Sequence, residues 1–350
     1  MYSTPLKDGL PTRTVSILIW NNALIFFGLR FERRRRMYKF LITGGAGFLG
    51  SSLIRYLLKE SDHQIISLER PTRQSKFHNN NRVKVVYHDL CDPLDGNQIE
   101  MAAEIEYIVH LASLTDIATS VKNPESFVIS NVLGTTHLLE FARKKATHLK
   151  QFLYFSTAEV FGRRPVGEIL NEASALQAHS PYAATKIGAQ EMCLSYKNTF
   201  NLPVVIAYVM NTFGPLQPKE KYVPLIVRKI TGGEKVSIHL NQDGTAPNRR
   251  NYLYVDDICA AILFLNKYAV AGEKYVVASP EESDNLKIAR MVASLLDKEL
   301  NYELVKQNRN SLALPQLSGN KLYELGWYPK KTLKEGLKEF IEQRGRTDDD

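Results

Sequence analysis

Only three of the 350 residues are cysteine, Cys91, Cys193 and Cys259, and no two stand in a CxxC spacing. That odd, unpaired set excludes a disulfide framework and a zinc knuckle, and it fits a reducing cytoplasmic setting. Histidine is also sparse: the eight are scattered without ligand spacing, so no metal is expected. No apolar run reaches the ~20 residues that a membrane-crossing helix needs. The candidate from Val15 to Leu29 is shorter and is broken by Asn21 and Asn22, although Arg30 and Arg33 to Arg36 behind it would suit a cytoplasmic flank. A cleaved signal peptide fits worse than an anchor, because the basic cluster follows the apolar run and no small-residue cleavage site comes after it. Residues 1–36 are therefore expected to be an extension, disordered or upstream of a functional start at Met37.

A stripe of Lys and Arg with interleaved aromatics, as nucleic-acid binding would require, is missing too. The formal charge is +8, but residues 1–36 hold seven Lys or Arg against two Asp or Glu, a net of +5 that leaves +3 for the rest. With 44% apolar and 23% charged residues, that body has ordinary globular composition and room for one large or two modest domains.

What the sequence does have starts at Lys39. A short apolar run to Thr43 ends in Gly44-Gly-Ala-Gly47-Phe48-Leu49-Gly50, after which Leu49, Leu53, Ile54, Leu57 and Leu58 recur at helical spacing. This predicts strand, tight turn and amphipathic helix. Residues without Cβ let a backbone approach a pyrophosphate, and the helix N-terminus adds free N–H groups and partial positive charge. A second strand from Gln64 to Leu68 ends at Glu69, near the ~20-residue offset at which a carboxylate takes a ribose 2′-hydroxyl. That favours NAD over NADP; Arg70 beside it would suit a 2′-phosphate, and both are alternatively solvated loop charges.

Further strands are expected at Val83 to Tyr87, Tyr107 to Leu111, Gln151 to Phe155 and Val204 to Tyr208, with helices such as Phe127 to Lys145 between most of them. This alternation predicts an α/β fold, a Rossmann-type doubly wound parallel sheet. Ligands bind such sheets beyond the carboxyl ends of the strands, which singles out Asp89, His110 to Ser113 and Ser156 to Glu159. Tyr182 and Lys186 open a helix running to about Phe200. A spacing of four sets them on one face, where an ammonium would favour the phenolate. Asp256-Asp257 reads as a helix N-cap, and Lys330 to Gln343 as a C-terminal helix with Leu333, Leu337 and Phe340 on one face.

From Met37 to about Gln343 the chain resembles the extended short-chain dehydrogenase/reductases, the NAD-dependent nucleotide-sugar epimerases and dehydratases. The resemblance rests on Thr43 to Gly50, Asp89-Leu90, His110-Leu-Ala112-Ser113, Ser156-Thr-Ala-Glu-Val-Phe-Gly162, Pro181-Tyr-Ala-Ala-Thr-Lys186, Asn211-Thr-Phe-Gly-Pro215, Tyr252 to Asp257 and Leu325 to Pro329. It implies Tyr182 as acid/base at the sugar hydroxyl, Lys186 on the nicotinamide ribose and Thr157 completing the triad. Gly44, Gly47, Phe48, Leu49, Gly50, Glu69, Asp89, Leu90 and Ala112 would line the NAD site with Tyr182 and Lys186, and Asn211 and Arg250 would hold the nucleotide-diphosphate sugar. It further implies a homodimer through a four-helix bundle. The expected division is a NAD-binding domain over 37–212, rejoined by 252–270, with a smaller substrate-binding lid from 213–251 and 271–345.

Glu159 decides between branches. If Thr157 to Glu159 continues extended, both side chains face one side. A carboxylate there can remove the C5 proton that oxidation at C4 acidifies, so that water leaves from C6. Thr-x-Glu is similar to the dTDP-glucose and GDP-mannose 4,6-dehydratases and to UDP-glucuronate decarboxylases, and Pro218 to Pro224 resembles the dTDP-glucose dehydratase lid. Ala158 stands where dTDP-glucose dehydratases carry a proton-donating aspartate, and Tyr208 where many relatives have arginine. Arg163-Arg164 would suit a diphosphate or a solvated loop. The expectation is a nucleotide-sugar 4,6-dehydratase. The alternatives are a 4-epimerase or decarboxylase of the same family, a non-catalytic NAD(H)-binding scaffold, or a membrane-anchored form.

Overall fold

The computed structural model describes residues 37–162, 168–241, 244–306 and 316–345. The expectations for residues 1–36 and for Arg163-Arg164 lie outside them. The first half reads β1 (Lys39–Thr43), α1 (Phe48–Glu60), β2 (Gln64–Glu69), β3 (Val83–Tyr87) and β4 (Tyr107–His110). It continues through α2 (Ile117–Lys122), α3 (Pro124–Phe127), a π-helical turn over Val128–Leu133, α4 (Gly134–Lys145), β5 (Gln151–Thr157), β6 (Ile169–Leu170) and α5 (Pro181–Phe200). The second half is β7 (Val204–Val209), β8 (Asn211–Phe213), α6 (Tyr222–Thr231), β9 (Val236–His239), β10 (Arg249–Tyr254), α7 (Val255–Tyr268) and β11 (Lys274–Val277). It closes with β12 (Glu282–Asp284), α8 (Asn285–Leu295), β13 (Tyr302–Val305), β14 (Gln316–Leu317), α9 (Asn320–Glu324) and α10 (Leu333–Gly345).

Seven parallel strands form one sheet in the order β11-β7-β5-β4-β1-β2-β3. Leu41 packs with α4 and α5 on one face, while Phe40 and Ile42 pack with α1 and α7 on the other. Burial on both sides explains why this strand reads as an unbroken apolar run rather than an alternation. The chain runs outward from β1 to β3 and then crosses back to β4, so strand order reverses between β1 and β4. Thr43 pairs with His110 at their carboxyl ends, which sets the reversal crevice beside the glycine turn.

A separate core joins Val223, Ile226, Val227 and Ile230 of α6 with Ile288 and Val292 of α8, Leu337 and Phe340 of α10, and Phe213, Tyr252 and Tyr254. This smaller lobe does not follow the expected boundary at residue 271. Lys274–Val277 is the edge strand of the main sheet, and Tyr275, Leu322 and Trp327 belong to the core under α1 and α7. A four-residue strand between two helices carries too little periodicity to be seen in sequence.

Helix ends follow local chemistry. Ser180 accepts from Ala183 N–H at 3.1 Å and Pro181 takes the first helical position of α5. Thr332 and Glu335 form a reciprocal capping box before α10, since Glu335 N–H reaches the Thr332 hydroxyl at 3.3 Å and Thr332 N–H the Glu335 carboxylate at 2.8 Å. Asp257 is not an N-cap of its own helix, which begins at Val255 behind Tyr254. Its two oxygens instead accept Lys330 N–H at 2.8 Å and Lys331 N–H at 3.2 Å, tying the lead-in of α10 to α7. Charge-assisted bonds at a buried carboxylate are worth more than exposed ion pairs. Asp257→Ala should therefore cost about 2 kcal/mol of unfolding free energy in urea. Asp256→Ala, which loses only a half-exposed Lys331 pair at 3.6 Å, should cost less than ~1 kcal/mol; equal losses would contradict this assignment.

Candidate active site

The turn after β1 leaves no room for side chains. Gly44 has φ +72° and its Cα faces the backbone of Ala112 across the crevice, where a Cβ would lie 3.1 Å from that residue's N and Cα. A Cβ on Gly50 would stand 2.2 Å from the Gly44 carbonyl oxygen, so α1 starts flush against the turn. Its first intrahelical bond runs from Ser51 N–H to Gly47 O at 2.9 Å, leaving the N–H groups of Phe48, Leu49 and Gly50 ahead of it. No acidic side chain stands in that first turn and no side chain caps it.

These groups line a cavity of about 330 Å³ with Gly44, Gly47, Glu69, Asp89, Leu90 and Ala112, so every cofactor residue expected from the first four strands is brought together. Glu69 is 3% exposed. Its Oε1 accepts Ala46 N–H at 2.7 Å and the Ser67 hydroxyl at 2.7 Å, so the carboxylate also fastens the turn to the end of β2. Burial raises its pKa, and the bonds from Ser67 and the turn oppose that. At Asp89 burial also pushes up, but bonds from the Cys91 N–H and thiol and the charges of Arg70 and His88 outweigh it and hold the carboxyl below its usual range. A glycine cradle with no space for Cβ, an uncapped helix N-terminus and the carboxylates of Glu69 and Asp89 at the ends of the next two strands fit a dinucleotide.

Behind this cavity lies a buried polar chain. Thr43 Oγ1 accepts the N–H groups of Leu111 at 3.2 Å and Ala112 at 3.1 Å, so its single proton goes to His110 Nδ1 at 2.7 Å. His110 Nε2 then carries the ring proton and donates to Thr135 Oγ1 at 2.9 Å, whose own proton goes to the Asn131 carbonyl at 2.6 Å. The Asn131 amide holds both polar groups of Leu114 and donates to Thr185 Oγ1 at 3.1 Å, and Thr185 donates to the Tyr182 carbonyl at 2.8 Å. The π turn sets Asn131 at this junction and Ser130 on the cavity wall. Asn131, Thr135 and Thr185 were missed in sequence. The one signal was Asn131 interrupting an apolar helical stretch.

Tyr182 and Lys186 are both buried on α5. Lys186 Nζ donates to the Phe155 carbonyl at 2.5 Å and lies 4.3 Å from the centroid of the Tyr154 ring. Burial pushes its pKa down to about 7. The phenol of Tyr182 is not drawn down as the spacing suggested. Burial drives it well above its usual range, the Glu159 charge adds to that, and only a hydrogen bond with Thr157 opposes it.

Thr157 to Glu159 does not continue as strand. The Thr157 hydroxyl accepts Glu159 N–H at 3.3 Å and turns Ala158–Phe161 into a 3₁₀ helix, because a threonine oxygen at a strand end is a ready helix cap. Ala158 is driven into the core, while Glu159 joins Asn211, Arg250, Tyr222, His239 and Asn285 around a second cavity of about 450 Å³. Glu159 Oε2 and Asn211 Nδ2 are buried without a hydrogen-bond partner. Burial raises the Glu159 pKa, opposed by Arg250. Lys221 lines both cavities. Asn285, also missed in sequence, is held by Tyr252 on its side-chain oxygen at 3.2 Å and by Tyr222 on its carbonyl at 2.5 Å. Tyr208 is fully buried against Phe161, ring centroids 4.9 Å apart. Among the described residues no His, Cys, Asp and Glu cluster is placed to hold a metal.

Comparison with known proteins agrees with this geometry. The family model described as GDP-mannose 4,6 dehydratase matches residues 41–340. A dTDP-glucose 4,6-dehydratase of Salmonella typhimurium is 27% identical over 335 residues, covering 87% of this chain and 92% of that protein. The low-salt glycan biosynthesis protein Agl12 of Haloferax volcanii is 31% identical over 309 residues, covering 86% and 97%. Among solved structures, the dTDP-glucose 4,6-dehydratase DesIV from Streptomyces venezuelae, with NAD and TYD bound, superposes with a TM-score of 0.77 at 27% identity, covering 88% of this chain and 97% of that one.

The buried chain has a pH signature. Burial, and the Lys186 charge after it, push His110 down to about 3, against ~6.5 in the unfolded chain. The unfolded state therefore binds the extra proton first. Stability is full above ~6.5 and falls as pH drops toward the folded value. Between pH 7 and 5 urea unfolding of the wild type should lose about 2 kcal/mol more than that of His110→Gln. Parallel losses in both proteins would show that His110 is not the neutral group described.

Proposed function

We infer that this chain, which belongs to the GDP-mannose 4,6-dehydratase family, is an NAD-dependent nucleotide-sugar 4,6-dehydratase of the extended short-chain dehydrogenase/reductase type. The observation that carries the reading is Glu159: a carboxylate with one buried oxygen unpartnered, its pKa raised by burial, electrostatically coupled to Tyr182 and sharing a cavity with Asn211 and Arg250.

Gly44, Gly47, Phe48, Leu49, Gly50, Glu69, Asp89, Leu90 and Ala112 would hold NAD, with the free N–H groups of α1 on its pyrophosphate and Glu69 on a ribose hydroxyl. What NAD supplies when bound is a reversible store for the hydride taken from C4 and later returned to C6. Asn211 and Arg250 hold the substrate diphosphate. Tyr182 acts from its phenolate form, which a hydrogen bond donated by Thr157 favours against burial, and that phenolate takes the O4 proton as the C4 carbinol becomes a ketone. That ketone acidifies C5–H, and Glu159 Oε2 removes the proton. Ala158 has no proton to give, so the Glu159 carboxyl delivers its newly gained proton to O6, and water leaves with the C6–O bond. A solvent proton completes C5 in the 4-keto-6-deoxy product, and Tyr182 releases to solvent the proton it took from O4.

A panel of dTDP-, UDP-, GDP- and CDP-hexoses should include one whose product is lighter by one water. Unchanged mass would indicate epimerisation, and loss of carbon dioxide from a uronic acid would indicate decarboxylation. Glu159→Gln should lower kcat by roughly 10²–10⁴-fold, and Tyr182→Phe should do the same while NAD stays bound. Near-normal turnover in either variant would refute its role.

The homodimer belongs to the same reading. Val121, Val128, Ile129 and Leu133 are exposed apolar residues on α2 and the π turn, which packs on α5, and a second copy would cover them. Val128→Asp combined with Leu133→Asp should convert a dimer to a monomer in sedimentation velocity; a wild-type chain that is already monomeric would overturn the dimer. No helix among the described residues is long and apolar enough to cross a membrane, and the free state of all three cysteines supports a cytoplasmic setting.

A further inference from the structure

We propose that Tyr154 is a positioning residue for Lys186, its ring face carrying the lysine ammonium and its hydroxyl holding the lysine's backbone. The proposal rests on the reading of Lys186 as part of the reaction site, and it adds a group that no motif in the sequence pointed to.

The problem it solves is a cation without a counter-ion. Lys186 is 4% exposed, and among the described residues no carboxylate pairs with it. An ammonium has three donors. One goes to the Phe155 carbonyl at 2.5 Å. The Tyr154 ring faces the same nitrogen, its centroid 4.3 Å away, within the ~6 Å over which a ring quadrupole attracts a cation, and most strongly where both are desolvated. Tyr154 is itself 1% exposed, and its hydroxyl donates to the Lys186 carbonyl at 3.3 Å. Ring and lysine are thus locked to each other at two points, one on the side chain and one on helix α5.

The neighbours keep that pairing exclusive. His110 on β4 lies 5.8 Å from the Tyr154 ring, centroid to centroid, and its donor-acceptor pattern holds it neutral, so it does not compete for the ring. On α5 the groups near Lys186 are Cys193 and Tyr182, both held protonated by burial. From β7, Tyr208 acts on Tyr154. Glu159, on the 3₁₀ turn, acts on Tyr182. Glu140 of α4 is occupied by Arg143, Lys144 and Tyr196. Lys122 of α2 and Glu125 of α3 are exposed, and the π turn carries no charged residue. Within the protein itself, the face of one neutral phenol ring is therefore the main support of the ammonium beyond the Phe155 carbonyl.

The test reads Lys186 directly. Its Cε resonance, assigned by its loss in Lys186→Met, is titrated by NMR in the NAD-bound protein. The comparison set is wild type, Tyr154→Phe, Tyr154→Leu, and a chain with a fluorinated phenylalanine incorporated at position 154, which keeps the shape and weakens the ring face. Tyr154→Phe should leave the midpoint within a few tenths of a unit. The fluorinated ring and Tyr154→Leu should each lower it by about one pH unit; where loss of the Lys186 charge sets the basic limb of kcat, that limb should move down with it in the fluorinated protein. A fluorinated ring that titrates like Tyr154→Phe would overturn the proposal. A midpoint that moves while the limb of kcat stays put would uphold Tyr154 and refute Lys186 as the group behind that limb.

Discussion

The site depends on a buried hydrogen-bond chain that runs from the end of β1 to the start of α5. Thr43, His110, Thr135, Asn131 and Thr185 connect the glycine turn to the backbone of Tyr182. Each proton in it has one place to go, and a partly satisfied network of this kind would cost more than an apolar core. The glycine turn and helix α5 come from segments more than 130 residues apart, and this chain holds them in one frame. The glycines make close approach possible, but a turn free to shift would waste it.

Burial then divides the proton chemistry. Glu159 is pushed up by desolvation and checked by Arg250, which suits a group that takes a proton and gives it back. Lys186 is pushed down, and the Tyr154 ring and Phe155 carbonyl favour its charge. Tyr182 is pushed up, which makes its phenolate a strong proton acceptor, and the Thr157 hydrogen bond favours that phenolate. Carboxylate, phenol and ammonium are each moved off their solution values by how deeply they are buried and by what little faces them.

Much of this could be read in sequence because period and punctuation are local. The limits of β1 follow from an apolar run ended by glycine, and the start of α5 from Ser180-Pro181. The residues proposed to hold the cofactor follow from where strands end in a doubly wound sheet. What escaped was long-range or subtle. The strand at Lys274–Val277 has no alternation, being buried on both faces. The π turn at Val128–Leu133 leaves a 3.6-residue pattern nearly intact while moving Asn131 to the junction. Thr157 to Glu159 looks extended until the Thr157 hydroxyl caps the next turn, which buries Ala158 and sets Glu159 on the wall of the second cavity. Asn131, Thr135, Thr185 and Tyr154 serve contacts with partners 25 to 54 residues away, and nothing local marks them.

The central claim is that Glu159 removes the C5 proton of a nucleotide hexose. Turnover in deuterium oxide, followed by proton NMR of the product, tests it most directly. The account predicts one deuterium at C5 in a product that has lost water, and no C5 exchange with Glu159→Gln. A dehydrated product that keeps its original C5 proton, or full exchange in the variant, would contradict it.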